Sequence, residues 1–217
     1  MKVQFTIATA FLFMLAGAAL SAQEITEITV QPKGAYAEID VASSNDAAQK
    51  LIAGNDNERA AAMEAVMKEP NRYNPVVFYA LGQTLFELDR RDEAMYWLLI
   101  GEIRARIDAT ICADASARQG VSVLRRSVSL DLMRHMVDHA EELVATLDSA
   151  LEYIREHNAE YDRRWINLHG MGAMISGMSG DGEQTPEKPL SAPEDTWPQL
   201  KTEAMEGYRE SYMKMVD

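Results

Sequence analysis

The residues whose types and spacing could do chemistry lie in the stretch "RHMVDHAEE". His135 and His139 are four residues apart, one turn of a helix, which is the spacing of a helical metal-binding pair. Asp138 and Glu142 lie beside them, and zinc would need a further ligand, for which His169 or an acidic residue of another helix is a candidate. The alternative is a histidine pair on the flank of a surface helix, which requires no metal. We expect this alternative and predict no cofactor.

Other residue sets give no support for catalysis. The order His-x-x-Asp-His resembles an inverted zinc-protease motif only superficially, because Asp stands where that motif has Glu. Cys112 has no neighbouring histidine that could form its thiolate, and Ser116 does not lie in a Gly-x-Ser-x-Gly elbow. The sequence also contains no glycine-rich phosphate loop. We therefore predict that the chain is not an enzyme.

Cys112 is the only cysteine, so the fold must depend on its core rather than on internal disulfides. We expect Cys112 to be a small buried group near a helix junction. The alternatives are an intermolecular disulfide and a reactive thiol.

Residues 1–22 have the pattern of a secretory signal. One lysine precedes a run from Phe5 to Leu20 that is apolar except for two threonines, and small residues follow it. The alternative, a membrane-spanning helix, needs ~20 apolar residues. We expect cleavage near Ala22 and a periplasmic or secreted protein without stable membrane insertion.

The chain is strongly acidic, with 217 residues and a net charge of −13. Lys2 is the only charged residue of the signal, so its removal changes the net charge from −13 to −14. Such a charge repels nucleic acid, and it favours basic partners or simply solubility. We predict no nucleic-acid partner.

Hydrophobic periodicity and composition divide the chain into five segments. In chain order we predict a signal peptide (1–22), an extended or hairpin N-terminal segment (23–44), a compact α-helical domain (45–169), a flexible linker (170–196) and a C-terminal helix (197–217). The predicted fold class is therefore mainly α. Residues 129–158 have the longest amphipathic pattern and predict one core helix.

The stretch from Phe78 to Arg106 predicts a helical hairpin with a polar turn. Its pattern is Phe78-x-x-Leu81-Gly82-x-x-Leu85 followed by Ala94-x-x-x-Leu98, with twelve residues from Gly82 to Ala94. This pattern resembles the tetratricopeptide repeat, in which glycines such as Gly82 and Gly101 let two helices come close. The closing proline of the family is missing and no second unit matches as well, so we expect one repeat-like hairpin within a compact domain. The stretch from Tyr96 to Gly120 also looks like a segment of exported bacterial helical proteins, a resemblance that implies no activity.

The tetratricopeptide resemblance implies a groove that holds a peptide or protein. We therefore predict an exported helical binding module or scaffold, and expect its contacts to come from residues that point away from the hairpin core: Tyr79, Gln83, Glu87, Tyr96 and Arg104. One alternative is an acidic periplasmic immunity or inhibitor protein that neutralises a basic secreted enzyme. A second is a metal-binding protein that uses the pair His135 and His139.

Methionines form a further cluster in the predicted linker, at Met171, Met174 and Met178. Methionine side chains adapt to varied partners, so the cluster could form an adaptable apolar surface. The alternative, which we favour, is that the methionines fill the core.

Overall fold

The computed structural model describes residues 31–178 and 189–216, and these form a mainly α-helical fold, as predicted. The helices are α1 (Ala42–Ala53), α2 (Asp56–Lys68), α3 (Pro75–Glu87), α4 (Arg91–Ile111), α5 (Gly120–Ser127), α6 (Leu130–Asp138), α7 (Ala140–Glu156), α8 (Met171–Met178) and α9 (Trp197–Val216). Short 3-10 helices lie between them, of which Arg163–His169 is the longest. The predicted signal peptide lies outside the described residues.

Helix α4 is the centre of the domain. From Leu98 to Ile111 every residue is buried except Arg106 and Thr110, because α3, α7 and α9 pack on different sides of this helix. A helix covered all round must be largely apolar. The three charged residues that α4 buries, Glu102, Arg104 and Asp108, therefore need partners within the protein.

Helices α3 and α4 pack closely where the sequence has glycines. A Cβ atom on Gly101 would lie 2.7 Å from the Cβ of Phe78, and one on Gly82 would lie 3.1 Å from the Cβ of Leu98. The expectation that these glycines lie where two helices approach is confirmed. Helix α3 begins at Pro75, because the Asn74 side chain accepts a hydrogen bond from the backbone N–H of Val76.

The predicted core helix over residues 129–158 is wrong as a single element. It divides at His139, whose backbone (φ −118°, ψ 53°) separates α6 from α7. The bend allows both pieces to bury apolar side chains, including Leu132 of α6 and Leu147 of α7. Periodicity alone did not reveal the change of direction, since each piece keeps its own helical spacing.

The predicted flexible linker (170–196) is helical over α8 in its first part. Ser116 accepts a hydrogen bond from the backbone N–H of Met171 at 2.8 Å, and Asp114 accepts one from Gly172 at 3.1 Å. These side chains satisfy N–H groups that the first turn of a helix leaves free. Further along, Ser191 forms an isolated antiparallel bridge with Cys112, so this part of the segment lies on the domain.

The two ends of the described chain differ in how well they were predicted. Residues 23–30 of the predicted extended segment lie outside the described residues, and the part that follows contains a 3-10 helix (Gly34–Glu38) and the start of α1 instead of a hairpin. The predicted C-terminal helix is confirmed as α9, which packs on α4 and α7.

Candidate functional site

Two of the five residues predicted to contact a partner are buried, so that part of the prediction is wrong. Tyr79 is 5% exposed and Arg104 is 3% exposed. Arg104 donates hydrogen bonds to the Pro70 carbonyl at 2.8 Å and to Asn71 Oδ1 at 2.5 Å, and it lies over the ring of Phe78. The hairpin has no open face here, because α7 and α9 pack on α4.

Of the other three predicted contact residues, Gln83 and Glu87 join separate parts of the domain. Gln83 donates to Glu87 and accepts a hydrogen bond from the backbone of Ser129, both at 3.3 Å. Glu87 forms an ion pair with Arg59 at 2.6 Å. Tyr96 is half-buried, with its ring edge-on to Trp97. The five residues therefore do not form one open groove.

The histidine pair is close together in space. The ring centroids of His135 and His139 are 4.1 Å apart, and Nδ1 of His139 lies 2.8 Å from the backbone carbonyl oxygen of His135. A carbonyl only accepts hydrogen bonds, so this Nδ1 carries a proton. Burial lowers the pKa of His135, and the positive charges of His139 and Arg91 lower it further.

A metal site would need more ligands than these two histidines. Among residues 31–178 and 189–216, no three His, Cys, Asp or Glu side chains are arranged to hold a metal ion. The possible third ligand, His169, lies edge-on to Trp165. Cys112 is a free buried thiol, as predicted, and donates to Asn167 Oδ1 at 3.2 Å.

Glu102 forms the first of two buried carboxylate networks on α4. Its Oε2 accepts hydrogen bonds from Arg125 and from the Tyr212 hydroxyl, each at 2.9 Å, and a very short one from the Tyr208 hydroxyl. Burial raises the pKa of Tyr208 and Tyr212 well above the ordinary value, and the negative charge of Glu102 raises it further. This network fixes α9 and α5 to the centre of the domain.

Asp108 forms the second network and is completely buried. It accepts hydrogen bonds from the Tyr161 hydroxyl at 2.7 Å, the Trp165 indole at 2.8 Å and the Arg163 guanidinium at 2.9 Å. Burial raises the pKa of Asp108, and Arg163 with the other two donors offsets part of that rise. The network holds the Arg163 side chain at the edge of the domain, 15% exposed.

Arg163 lines a groove at that edge, which we call the Trp197 groove. It consists of two adjoining cavities of about 590 Å³ and about 670 Å³. The two cavities share four lining residues: Ala159, Arg163, Glu194 and Trp197. The first extends along α9 past Lys201, and the second extends past Tyr161 toward Leu190.

The Trp197 groove combines an apolar wall with unpaired positive charge. Trp197, Ile111 and Met205 line the first cavity, and Trp197 is the most exposed of the three. Burial lowers the pKa of Lys201, and the positive charges of Arg163 and Arg104 lower it further. Within the described part of the chain, Lys201 and Arg155 have neither an ion pair nor a side-chain hydrogen bond, although two carboxylates, Glu194 and Glu206, line the same cavity.

Sequence reasoning missed this groove because its residues come from separate parts of the chain. Arg155 ends α7, Arg163 lies in a 3-10 helix and Lys201 lies in α9. One signal was available: Glu102, Arg104, Arg106 and Asp108 interrupt the apolar run of α4, which indicates internal partners for those that face the core. Arg163 is one of those partners, because it pairs with Asp108, and it also lines the groove.

No protein-family model matches the chain, and neither a curated protein nor a solved structure is significantly similar to it. In the described residues, no helix is both long enough and apolar enough to cross a membrane. The chemistry of the Trp197 groove therefore has to be inferred from its own residues.

Proposed function

We propose that this chain is a helical binding protein that holds a peptide or protein segment in the Trp197 groove. The observation that carries the proposal is the unpaired, partly buried ammonium of Lys201 beside Arg163 in a groove with an apolar wall. A polar group that is partly desolvated and has no internal partner is stabilised by an external one. The groove thus supports binding rather than a reaction.

The ligand that fits this chemistry carries a carboxylate next to an apolar side chain. The carboxylate would accept charge-assisted hydrogen bonds from Lys201 and Arg163, which are stronger than neutral ones. The apolar side chain would pack on Trp197, whose indole N–H is already satisfied by the Ala192 carbonyl at 2.9 Å. The Arg163 guanidinium lies over the indole ring, 5.9 Å from its centroid, so the apolar side chain of the ligand would contact the rest of the indole surface.

The dimensions of the groove favour an extended segment over a compact metabolite. Each cavity alone has the volume of an ordinary small-molecule pocket. Their common wall at Arg163 and Trp197 makes them successive subsites of one groove. Consecutive residues of a peptide can occupy both.

Export of the protein is part of the proposal. The pattern of residues 1–22 supports it, and the mature protein is expected to begin at Gln23. Intact mass of the protein purified from periplasm or culture medium tests this point. A chain that stays in the cytoplasm with residues 1–22 attached would contradict it.

The alternatives have less support at this groove. An inhibitor of a basic enzyme is consistent with the net charge of −13, but the unpaired cations of this groove, Arg155 and Lys201, would repel a basic partner there. A basic partner would bind elsewhere on the surface. The inhibitor and the metal-binding protein stay predictions from the sequence.

A peptide array tests the groove directly, with each sequence present both as a free C-terminal carboxylate and as an amide. Peptides that bind the wild type are then measured by calorimetry against Lys201→Glu and against Lys68→Glu. Lys68 is an exposed lysine at the end of α2 and lines neither cavity, so its reversal makes the same change in net charge outside the groove.

We expect Lys201→Glu to weaken binding by about tenfold or more, because it replaces a favourable charge contact with repulsion. Lys68→Glu should leave the affinity within about twofold, since solvent and salt screen the charge of an exposed side chain that does not line the groove. Equal affinity of the wild type and Lys201→Glu for every bound peptide would refute the proposed site.

A further inference from the structure

Helix α8 displays three methionines on one face. Met171, Met174 and Met178 are 53%, 49% and 68% exposed. Their spacing of three and then four residues places them along one side of a helix. The structure thus contradicts the expectation that this cluster fills the core. Other methionines, such as Met63 and Met95, are buried.

The opposite face of α8 is fixed to the domain. Ala173 is 6% exposed, and the Ser176 hydroxyl donates to the Lys33 carbonyl at 3.3 Å. A Cβ atom on Gly172 would collide with the Tyr36 hydroxyl, so glycine allows the close approach there. Together with the hydrogen bonds from its first turn to the Asp114 and Ser116 side chains, these contacts hold the helix in one orientation. The three thioethers therefore point outward from a positioned helix.

Thioether sulfur is a soft, uncharged donor. Soft sulfur ligands select Cu(I) among the metals available to proteins, while imidazole and carboxylate suit zinc and harder ions. The side chain of methionine has three rotatable bonds, so its sulfur can move to meet a cation. On a helix, residues three or four apart have Cβ atoms about 5–6 Å apart, which lies within reach of two converging methionine side chains.

We propose that Met171, Met174 and Met178 form a binding site for one Cu(I) ion. Met174 lies between the other two along the helix, so it is the central ligand and both neighbours converge on it. The site does not use the Trp197 groove or a peptide, so it stands or falls independently of the proposed function.

Competition for Cu(I) against a chromophoric chelator, under anaerobic conditions, measures the affinity of the full mature chain. The test variant is M171L/M174L/M178L, because leucine keeps the apolar volume and loses the sulfur. The control is M67L/M133L/M213L, which removes three half-buried methionines from three different helices. Both variants retain Cys112, so binding by the thiol would be equal in the two.

We expect one Cu(I) per chain in the wild type and in the control, and an affinity about tenfold or more lower in the α8 variant. Loss of a supporting group alone costs about 10–100-fold in metal affinity, so loss of three ligands should cost at least as much. Equal affinity of the α8 variant and the wild type would overturn the proposal. So would failure of the wild type to compete at all.

A second readout is the pH dependence of binding. Thioethers carry no proton, so the affinity should be nearly constant from about pH 5 to 7.5, whereas histidine and cysteine ligands must lose protons before they bind a metal. Ag(I), a redox-inert probe of the same softness, should shift the NMR methyl signals of Met171, Met174 and Met178. Affinity that falls steeply toward pH 5, or unshifted methyl signals, would overturn the assignment.

Discussion

Replacement of Asp108 by alanine should strongly destabilise the fold. The carboxylate is completely buried and accepts three hydrogen bonds of 2.7 to 2.9 Å, from Tyr161, Trp165 and Arg163. Alanine leaves all three donors without their partner, and the Arg163 side chain is only 15% exposed. Removal of one partner from a buried ion pair costs about 3–5 kcal/mol.

The same change should also lower the affinity of the Trp197 groove for its ligand, because Asp108 orients Arg163. A matched control is Asp131→Ala, which breaks an ion pair between Asp131 and Arg134 at 3.0 Å whose side chains are 77% and 67% exposed. Exposed pairs of this kind contribute about 0–1 kcal/mol. The comparison thus separates the effect of burial from the effect of losing a carboxylate.

Urea unfolding followed by circular dichroism at 222 nm measures both free energies of unfolding. For Asp108→Ala we expect a loss of about 3–5 kcal/mol, equivalent to a fall of roughly 6–20 °C in melting temperature for a chain of this size. For Asp131→Ala we expect a loss below about 1 kcal/mol. If the two variants lose the same free energy, or Asp108→Ala loses less than about 1 kcal/mol, the buried network does not have the structural role described above.

Two further predictions concern the helix contacts and the histidine pair. Gly101→Ala should lower the free energy of unfolding by about 1–3 kcal/mol, because its Cβ would lie 2.7 Å from that of Phe78. Gly207→Ala in α9 should raise the free energy of unfolding by about 0.4–1 kcal/mol, because nothing lies within 4 Å of the new Cβ. Chemical denaturation measures both variants. A change of the same sign in both would contradict the close packing of Gly101 against Phe78. By NMR titration, His135 should have a pKa below the ordinary value of about 6.5, owing to burial and then to the charge of His139. His139→Gln should raise the pKa of His135, and an unchanged value would show that the two rings do not interact. Because folding lowers the pKa of His135, the unfolded chain binds the proton more readily than the folded protein does. The contribution of neutral His135 to the free energy of unfolding should therefore decrease as the pH falls below about 6.5. It should stop decreasing once the pH is below the pKa that His135 has in the folded protein.

Periodicity was sufficient to predict the helical fold class, and local residue types explain several of its features. The start of α3 follows from Asn74 and Pro75, and the close packing of α3 on α4 follows from Gly82 and Gly101. These features depend on residues near one another in sequence. The break at His139 was missed because it depends on how α6 and α7 pack on the rest of the domain.

The candidate site was missed for a related reason. The prediction placed partner contacts on the hairpin, on the assumption that the face with Tyr79 and Arg104 is open, but the sequence does not show which later helices cover it. Helix α8 was missed because its Gly- and Ser-rich sequence is typical of a linker, and its stability depends on Asp114 and Ser116, more than 50 residues earlier. Contacts between segments that are far apart in sequence cover the hairpin face and stabilise α8.

The measurement that tests the binding proposal most directly is a thermodynamic cycle on the Trp197 groove. One peptide that binds the wild type is measured as a carboxylate and as an amide, against the wild type and against Lys201→Ala. If Lys201 pairs with the ligand carboxylate, the two changes should be non-additive by about 1.5–3 kcal/mol, the value of a hydrogen bond to a charged group. Additivity within about 0.5 kcal/mol would show that the carboxylate does not meet Lys201, which would contradict the proposed mode of binding.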